Sequence, residues 1–302
     1  MTVTASAPGK FNLYLGVGPL RSDGFHDLAT VFQAVSLRET VTVTAEPTLS
    51  CGFDGPLDVS EIPLGGTNLV MRAAQAIADA TGFSGGAHIA VDKRVPIAGG
   101  MGGGSADAAA ALVAINELWG TGLADSDLLS IAATLGSDVP FAFTGGTALG
   151  LGRGDELQVV TDSAVFHWVL VMSDRGLSTP AVYRRLDEIR ESRSPGGART
   201  ATDPAVPAEL WDALRDGDPV RLAALVHNDL QEAAVSLQPE LADTLEWGER
   251  QGALRGIVSG SGPTTAFLVS DAEAATSLAS AFTAEGRRAL PVWSPVPGVR
   301  QP

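Results

Sequence analysis

The run Pro96-Ile-Ala-Gly-Gly-Met-Gly-Gly-Gly-Ser-Ala-Asp-Ala-Ala-Ala-Ala-Leu112 carries five glycines where a strand–helix turn needs one or two. Such a run lets backbone N–H groups face one concavity and lets a ligand come close to the main chain. It leads into an alanine-rich segment that reads as a helix, whose unpaired N–H groups and positive dipole end favour an anion. Phosphate is the expected ligand, held by backbone across Pro96, Ile97, Ala98, Gly99, Gly100, Met101, Gly102, Gly103, Gly104, Ser105 and Ala106. The competing reading is a flexible glycine turn. Ser105 is expected as the helix N-cap, and its hydroxyl could also stand near a metal-bound phosphate. Asp107, just inside the helix, reads as a first-turn acid that favours the dipole and not as a catalytic group. No Lys-Ser or Lys-Thr closes the run and the spacing is not Gly-x-Gly-x-x-Gly, which argues against a P-loop and a dinucleotide fingerprint.

Phosphoryl transfer would also need an aligned hydroxyl and a carboxylate to take its proton. Asp138, in Leu135-Gly-Ser-Asp-Val-Pro140, lies between a helix end and a proline-fixed turn. That place can hold a side chain at a cleft, although taken alone the residue reads first as an Asx turn. Lys10, in Pro8-Gly-Lys-Phe-Asn-Leu13, sits on a fixed turn entering a strand, with Asn12 on the same strand face. Tyr183 serves core packing on the helix begun by Pro180 as readily as it serves a ligand.

The elements that must position these residues follow from pattern. Val3–Ala5 and Phe11–Val17 are expected as strands broken at Pro8-Gly9, followed by strands over Thr30–Ser36 and Glu39–Ala45. Residues 51–66 read as loop, Leu69–Thr81 as a helix capped by Asn68, and His88–Lys93 as the strand before the glycine loop. A helix over Ser105–Trp119, another over Asp125–Leu135 and a strand over Thr147–Leu151 complete the first half. In the second half the expected strands are Val165–Met172, Gly256–Ser259, Thr265–Val269 and Ala289–Trp293. The expected helices are Pro180–Glu191, Leu222–Val235, Leu241–Gln251 and Ala272–Glu285, with a patternless insert over 192–207. This order predicts an α+β chain of two domains.

At 302 residues the chain can bury a core in each domain. Twenty basic against 35 acidic residues give a net charge of −15, which opposes nucleic-acid and anionic-membrane binding. An anionic substrate must then be met by local cations and N–H groups, with Arg21, Lys93 and Arg94 as candidates. The single cysteine, Cys51, excludes an intrachain disulfide and a cysteine metal cage. Neither a signal peptide nor a membrane span is seen, and a cytoplasmic protein is expected.

Three stretches in order, Pro8–Leu13, Pro96–Leu112 and Val258-Ser-Gly-Ser-Gly-Pro-Thr264, resemble the three motifs of the small-molecule kinases named for galactokinase, homoserine kinase, mevalonate kinase and phosphomevalonate kinase. Arg21-Ser-Asp-Gly-Phe-His-Asp27 and Leu135–Pro140 are most similar to the members that phosphorylate the 2-hydroxyl of a cytidyl diphosphate ester of methylerythritol, in the non-mevalonate route to isoprenoids.

The resemblance implies an N-terminal domain like domain 2 of ribosomal protein S5 and a ferredoxin-like C-terminal domain. The boundary would fall near 150–161, giving an ATP-binding domain over 1–155 and a substrate-side domain over 156–302 with the active site between them. It further implies ATP and Mg²⁺ as cofactors, Asp138 as catalytic base and Lys10 as its partner. Asn12 would hold the acceptor's hydroxyls, His26 would contact cytosine, and Phe25, which replaces the family's tyrosine, would face Tyr183 across the base. Asn68 and Lys93 would lie near the adenine nucleotide, and Ser105 near the metal. A monomer or homodimer is expected. Homoserine or mevalonate kinase activity, and a non-catalytic nucleotide sensor, are the competing functions.

Overall fold

The computed structural model describes residues 1–161, 164–193 and 203–301. Its opening is one long antiparallel hairpin, β1 (Thr2–Leu20) and β2 (His26–Glu46), in place of the four short strands expected. Pro8-Gly9 does not break β1. The proline, which has no N–H to give, is absorbed at a register shift between Pro8 and Lys10.

That shift decides which way the first motif faces. Ala5 and Ala7 before it pack with the helices of the first half, whereas Phe11 and Leu13 after it pack on the opposite side. Side chains alternate along a regular strand, but here β1 advances two residues, from Pro8 to Lys10, while β2 advances four, from Arg38 to Ala34, and the alternation is broken. Lys10 and Asn12 are thereby turned to the helical side.

The first sheet runs β3-β4-β2-β1-β8, with a β5–β6 hairpin on β2. Here β3 is Ser50–Asp54, β4 Gly86–Asp92, β5 Thr147–Leu151, β6 Glu156–Val160 and β8 His227–Asn228. The expected loop over 51–66 thus begins as a strand, lying parallel to β4 at the edge of the sheet. Four helices cover one face: α1 (Leu69–Thr81), α2 (Gly103–Trp119), α3 (Asp125–Leu135) and the short α4 (Val139–Thr144). α2 is buried on nearly all sides, with Ala106, Ala108 to Leu112, Ala114 and Ile115 sealed from solvent. Its small side chains let it lie close to both the sheet and α1, and a helix apolar all round belongs inside a protein.

The second half begins with β7 (Phe166–Met172) and α5 (Thr179–Arg193). α6 (Ala208–Asp216), α7 (Pro219–Ala223), α8 (Gln231–Leu237) and α9 (Glu240–Arg250) follow. β9 (Arg255–Val258), β10 (Thr265–Val269), α10 (Ala272–Ala284) and β11 (Arg288–Ser294) complete it. Its sheet is antiparallel throughout in the order β11-β7-β10-β9, so the four strands taken in chain order lie 4-1-3-2, as in a ferredoxin-like βαββαβ unit. The two halves share a core in which Phe11 and Leu13 of β1 meet Trp168, Leu170 and Leu268. The Phe11 ring stands edge-on to Trp168 at 4.5 Å between centroids.

The expected division at 155/156 falls in the turn joining β5 to β6, and both strands belong to the first sheet. Residues after β11 also return to that sheet: Arg300 and Ser6 exchange backbone hydrogen bonds at 2.8 and 2.9 Å. The expected insert over 192–207 lies largely outside the described residues; 192–193 end α5 and 203–207 lead into α6, which was not anticipated. Among the described residues no helix is long and apolar enough to cross a membrane.

The single helix expected over Leu222–Val235 is instead α7, β8 and α8. The break is made at Asn228, which with His227 forms a short strand parallel to Tyr14 and Leu15 of β1. Its buried amide donates to the carbonyls of Val258 (2.8 Å) and Gly260 (2.7 Å), and its oxygen accepts from the N–H of Leu230 (2.9 Å). Asn228 therefore ties β1 to the third motif. Asn228→Ala should lower the unfolding free energy by about 2–4 kcal/mol, from lost bonds at about 1 kcal/mol each plus stranded buried partners. A chemical-denaturation loss below about 0.5 kcal/mol, the range of an ordinary surface change, would contradict this.

Candidate active site

The three motifs meet at the glycine loop. The Lys10 N–H donates to the Met101 carbonyl at 2.9 Å, and the Ser259 hydroxyl donates to the Gly100 carbonyl at 2.9 Å. Gly100 (φ 75°) lies so close to the third motif that a Cβ there would stand 2.1 Å from the Ser259 carbonyl oxygen. Ala98, Gly100 and Gly102 all have left-handed φ, while Gly99 and Met101 between them do not. Such alternation gathers successive N–H groups into an anion-binding concavity. Gly102 is the N-cap of α2 and provides no side chain to cap it, leaving the first-turn N–H groups available to a ligand. Because the helix begins at Gly103, Ser105 is its third residue and not the expected N-cap.

Two cavities adjoin this loop. One, of about 550 Å³, is lined by the loop itself together with Asp58, Glu61, Ile62, Pro63 and Lys93. The other, of about 310 Å³, is lined by Lys10, Asn12, Asp138, Arg153 and Tyr183 among others. Gly100 and Gly102 belong to both.

Lys10 is nearly buried, its Nζ 3.2 Å from Asn12 Oδ1 and 3.5 Å from Asp138 Oδ2, and 5.0 Å from the centre of the Phe32 ring. The Asn12 amide donates to the Thr30 hydroxyl (2.6 Å), which donates to the Tyr14 carbonyl (2.7 Å). This chain fixes the amide with its oxygen toward Lys10. Asp138 occupies the N-cap position of α4 but makes no side-chain cap, so the Asx-type reading gives way to a carboxylate facing Lys10 and partly open to the cavity.

Other expected residues lie differently. Lys93 is turned beneath the loop, its ammonium 2.6 Å from Glu39 Oε1 and 2.7 Å from Asp107 Oδ2. Asp107 is accordingly a buried ion partner beyond the first turn of α2, and not the expected first-turn acid. Burial works against the Lys93 ammonium, but the two carboxylates outweigh it and raise its pKa. Burial also raises the pKa values of Glu39 and Asp107 against the pull of Lys93. Asn68 caps α1 by accepting from the Val70 N–H (3.0 Å) and donates to the Pro63 carbonyl (2.8 Å), reaching the larger cavity only through that wall.

His26 is buried, with Nε2 3.0 Å from Asp187 Oδ1. Burial lowers its pKa in spite of that carboxylate. Tyr183 stacks on His26 at 5.3 Å and 27°, and burial pushes its hydroxyl up to about 12. Phe25 is half exposed and carries the Arg153 guanidinium 4.9 Å over its ring. Phe25 is linked to the smaller cavity through Arg153, whereas Tyr183 lines it directly.

Sequence reasoning missed Glu39, Asn228 and Arg153. A lone glutamate amid the Val/Thr alternation of β2 was a signal for the first; Arg153 had none.

Residues 68–146 match the family model "GHMP kinases N terminal domain", and residues 210–288 match "GHMP kinases C terminal". A protein of Leifsonia xyli subsp. xyli named 4-diphosphocytidyl-2-C-methyl-D-erythritol kinase is 50% identical over 299 residues, covering 99% of this chain and 98% of that one. A protein of the same name from Streptomyces avermitilis is 51% identical over 300 residues, covering 99% of each. A crystal structure of 4-(cytidine 5'-diphospho)-2C-methyl-D-erythritol kinase matches with a TM-score of 0.78 at 30% identity, covering 98% of this chain and 100% of that one. The L. major mevalonate kinase structure, at 17% identity and a TM-score of 0.75 over 97% and 95% of the two chains, shares the fold.

The loop's glycines are constrained from different sides. A Cβ on Gly103 would press on Glu39 Oε1 at 3.1 Å and on Val95, whereas one on Gly104 would meet only Leu69 Cδ1 at 3.6 Å. Gly104→Val should therefore fold normally yet obstruct a ligand approaching the loop, raising the calorimetric Kd for ATP by about tenfold or more, or about 1.4 kcal/mol. Unchanged affinity in the folded variant would leave the loop a mere turn.

Proposed function

This chain belongs to the GHMP kinases, within the family of 4-diphosphocytidyl-2-C-methyl-D-erythritol kinases, and from that premise we propose how its residues divide the reaction. It is an ATP-dependent kinase that phosphorylates the 2-hydroxyl of 4-diphosphocytidyl-2-C-methyl-D-erythritol, giving the 2-phosphate and ADP in the non-mevalonate isoprenoid route. The observation that carries the assignment of sites is the pair of cavities that meet at Gly100 and Gly102 beside Lys10 and Asp138. The larger takes ATP, with its phosphates on the loop's N–H groups and the first turn of α2. The smaller takes the acceptor.

Asp138 accepts the proton of the 2-hydroxyl as that oxygen attacks the γ-phosphorus. Lys10 holds the Asp138 carboxylate in place, and its charge offsets the negative charge that grows on the transferring group. Asn12, fixed by Thr30, orients the acceptor hydroxyls. Catalysis here is chiefly alignment and charge stabilisation, as phosphoryl transfer requires.

Among the described residues no group of three His, Cys, Asp or Glu side chains could hold a metal. That composition suits Mg²⁺ carried mainly by ATP phosphates and water, with the Ser105 hydroxyl as the protein's own contribution. Bound there, Mg²⁺ would neutralise phosphate charge. His26, Phe25 and Tyr183 recognise the cytidyl end, with Tyr183 backed by His26 and Phe25 linked through Arg153. The enzyme works in the cytoplasm, as a monomer or homodimer.

Asp138→Asn should lower kcat by about 10²–10⁴-fold, the range for loss of a general base, with ATP affinity within a few-fold. Steady-state kinetics retaining most of the turnover would remove Asp138 from that role. Base stacking is worth about 1–3 kcal/mol, so Phe25→Ala and Tyr183→Ala should each raise the acceptor KM by about 5–150-fold while sparing the KM for ATP. An unchanged acceptor KM in both variants would sink the cytosine assignment and leave the kinase chemistry standing.

A further inference from the structure

The ion cluster of Glu39, Lys93 and Asp107 stands outside the chemistry described so far. Its members come from three elements: Glu39 from β2, Lys93 from the residue after β4, and Asp107 from α2. Lys93 and Arg94 are where the chain enters the glycine loop, and Asp107 is where it has left the loop for the helix. Glu39 grips the entry twice, accepting from the Lys93 ammonium with Oε1 and from the Arg94 N–H with Oε2 at 2.8 Å. The cluster is also the floor on which Gly103 rests, since a Cβ there would lie 3.1 Å from Glu39 Oε1 and 3.4 Å from Lys93 Nζ.

Stability alone does not account for such an arrangement. Enclosed ions lose their hydration, and apolar residues of like volume usually serve a core as well or better. Here two carboxylates share a single ammonium, and Asp107 Oδ1 is left buried without a hydrogen-bond partner. What the cluster has that an apolar patch lacks is direction: Lys93 on the entry bonds Asp107 on the exit, and Glu39 ties the entry to β2, which together fix the distance between entry and exit.

We infer that Glu39, Lys93 and Asp107 are positioning residues, with Lys93 a clamp that holds the two ends of the glycine loop at the separation its phosphate-binding shape needs. This rests on the reading of the loop as the ATP site. Lys93 also lines the larger cavity, but its ammonium is held by Glu39 and Asp107, so its role there is to support the loop and not to bind the nucleotide directly.

The test compares Lys93→Met, Asp107→Asn and Glu39→Gln with the triple variant Glu39→Met/Lys93→Met/Asp107→Leu. The triple variant replaces the ions by apolar side chains, so that folding does not depend on an unpaired charge. Calorimetric ATP titration, KM for ATP, KM for the acceptor and Tm are measured on each full-length protein. The clamp predicts a KM for ATP raised about tenfold or more in Lys93→Met and in the triple variant, with the acceptor KM within about threefold. In the triple variant that loss should accompany a Tm equal to or above the wild type's. Asp107→Asn and Glu39→Gln should show the same split in milder form.

A wild-type KM for ATP in the folded triple variant would overturn the clamp. So would loss on Lys93→Met with none on Asp107→Asn or Glu39→Gln, since a lysine bound directly to the nucleotide would not need its partners. Wild-type protein that fails to bind ATP at all would overturn the reading of the loop itself, a result distinct from both.

Discussion

The cleft is organised by one close backbone approach, Gly100 against the carbonyl of Ser259. With a Cβ excluded by a 2.1 Å clash, the second motif can settle on the third only as bare main chain. The first motif joins them through the Lys10 N–H and the Met101 carbonyl, and Asn228 holds the third from behind. Residues from both sheets are thereby brought to one point, and the two cavities share a wall of backbone with little side chain in it. A thin wall is what direct transfer between two bound molecules requires, because donor and acceptor atoms must come within about 3–3.5 Å.

Charge is arranged as economically as shape. A protein of net charge −15 has to receive two polyphosphorylated molecules, and the donor cavity even has Asp58 and Glu61 in its wall. Long-range attraction is therefore a poor explanation of binding. The favourable terms are local: N–H groups of a left-handed alternation, the N-terminus of α2, and the Lys10 ammonium next to Asp138. Of the two cations that lead into the loop, Lys93 is already committed to Glu39 and Asp107 beneath it, and Arg94 pairs with Asp92.

How much of this was legible depended on whether the cause was local. The glycine loop, the Asn68-capped α1 and the bounds of α3 follow from spacing and capping chemistry, which act within a few residues. The continuity of β1 through Pro8-Gly9 could not be read locally, because the bulge that absorbs the proline depends on its register with β2. β3 owes its existence to β4, and the break in the expected helix over 222–235 owes its existence to β1. The site followed the same rule. Lys10, Asn12 and Asp138, taken from the motif resemblance, lie together around one cavity. Ser105 is not the N-cap because the helix starts two residues early, after a left-handed glycine, and the ion pairing of Lys93 was hidden because its buried counter-ion, Glu39, lies 54 positions away along the chain. Phe25 and Tyr183 lie on different elements, and only the fold reveals that Tyr183 rests on His26.

The most direct test of the account is the identity of the product bond. In a 2-C-methyl compound the carbon bearing the 2-hydroxyl has no hydrogen. When the protein is incubated with ATP and 4-diphosphocytidyl-2-C-methyl-D-erythritol, ³¹P NMR should show ADP and, in equal amount, a new phosphomonoester signal without three-bond proton coupling. A proton-coupled monoester signal, or ADP formed with inorganic phosphate and no ester, would contradict it.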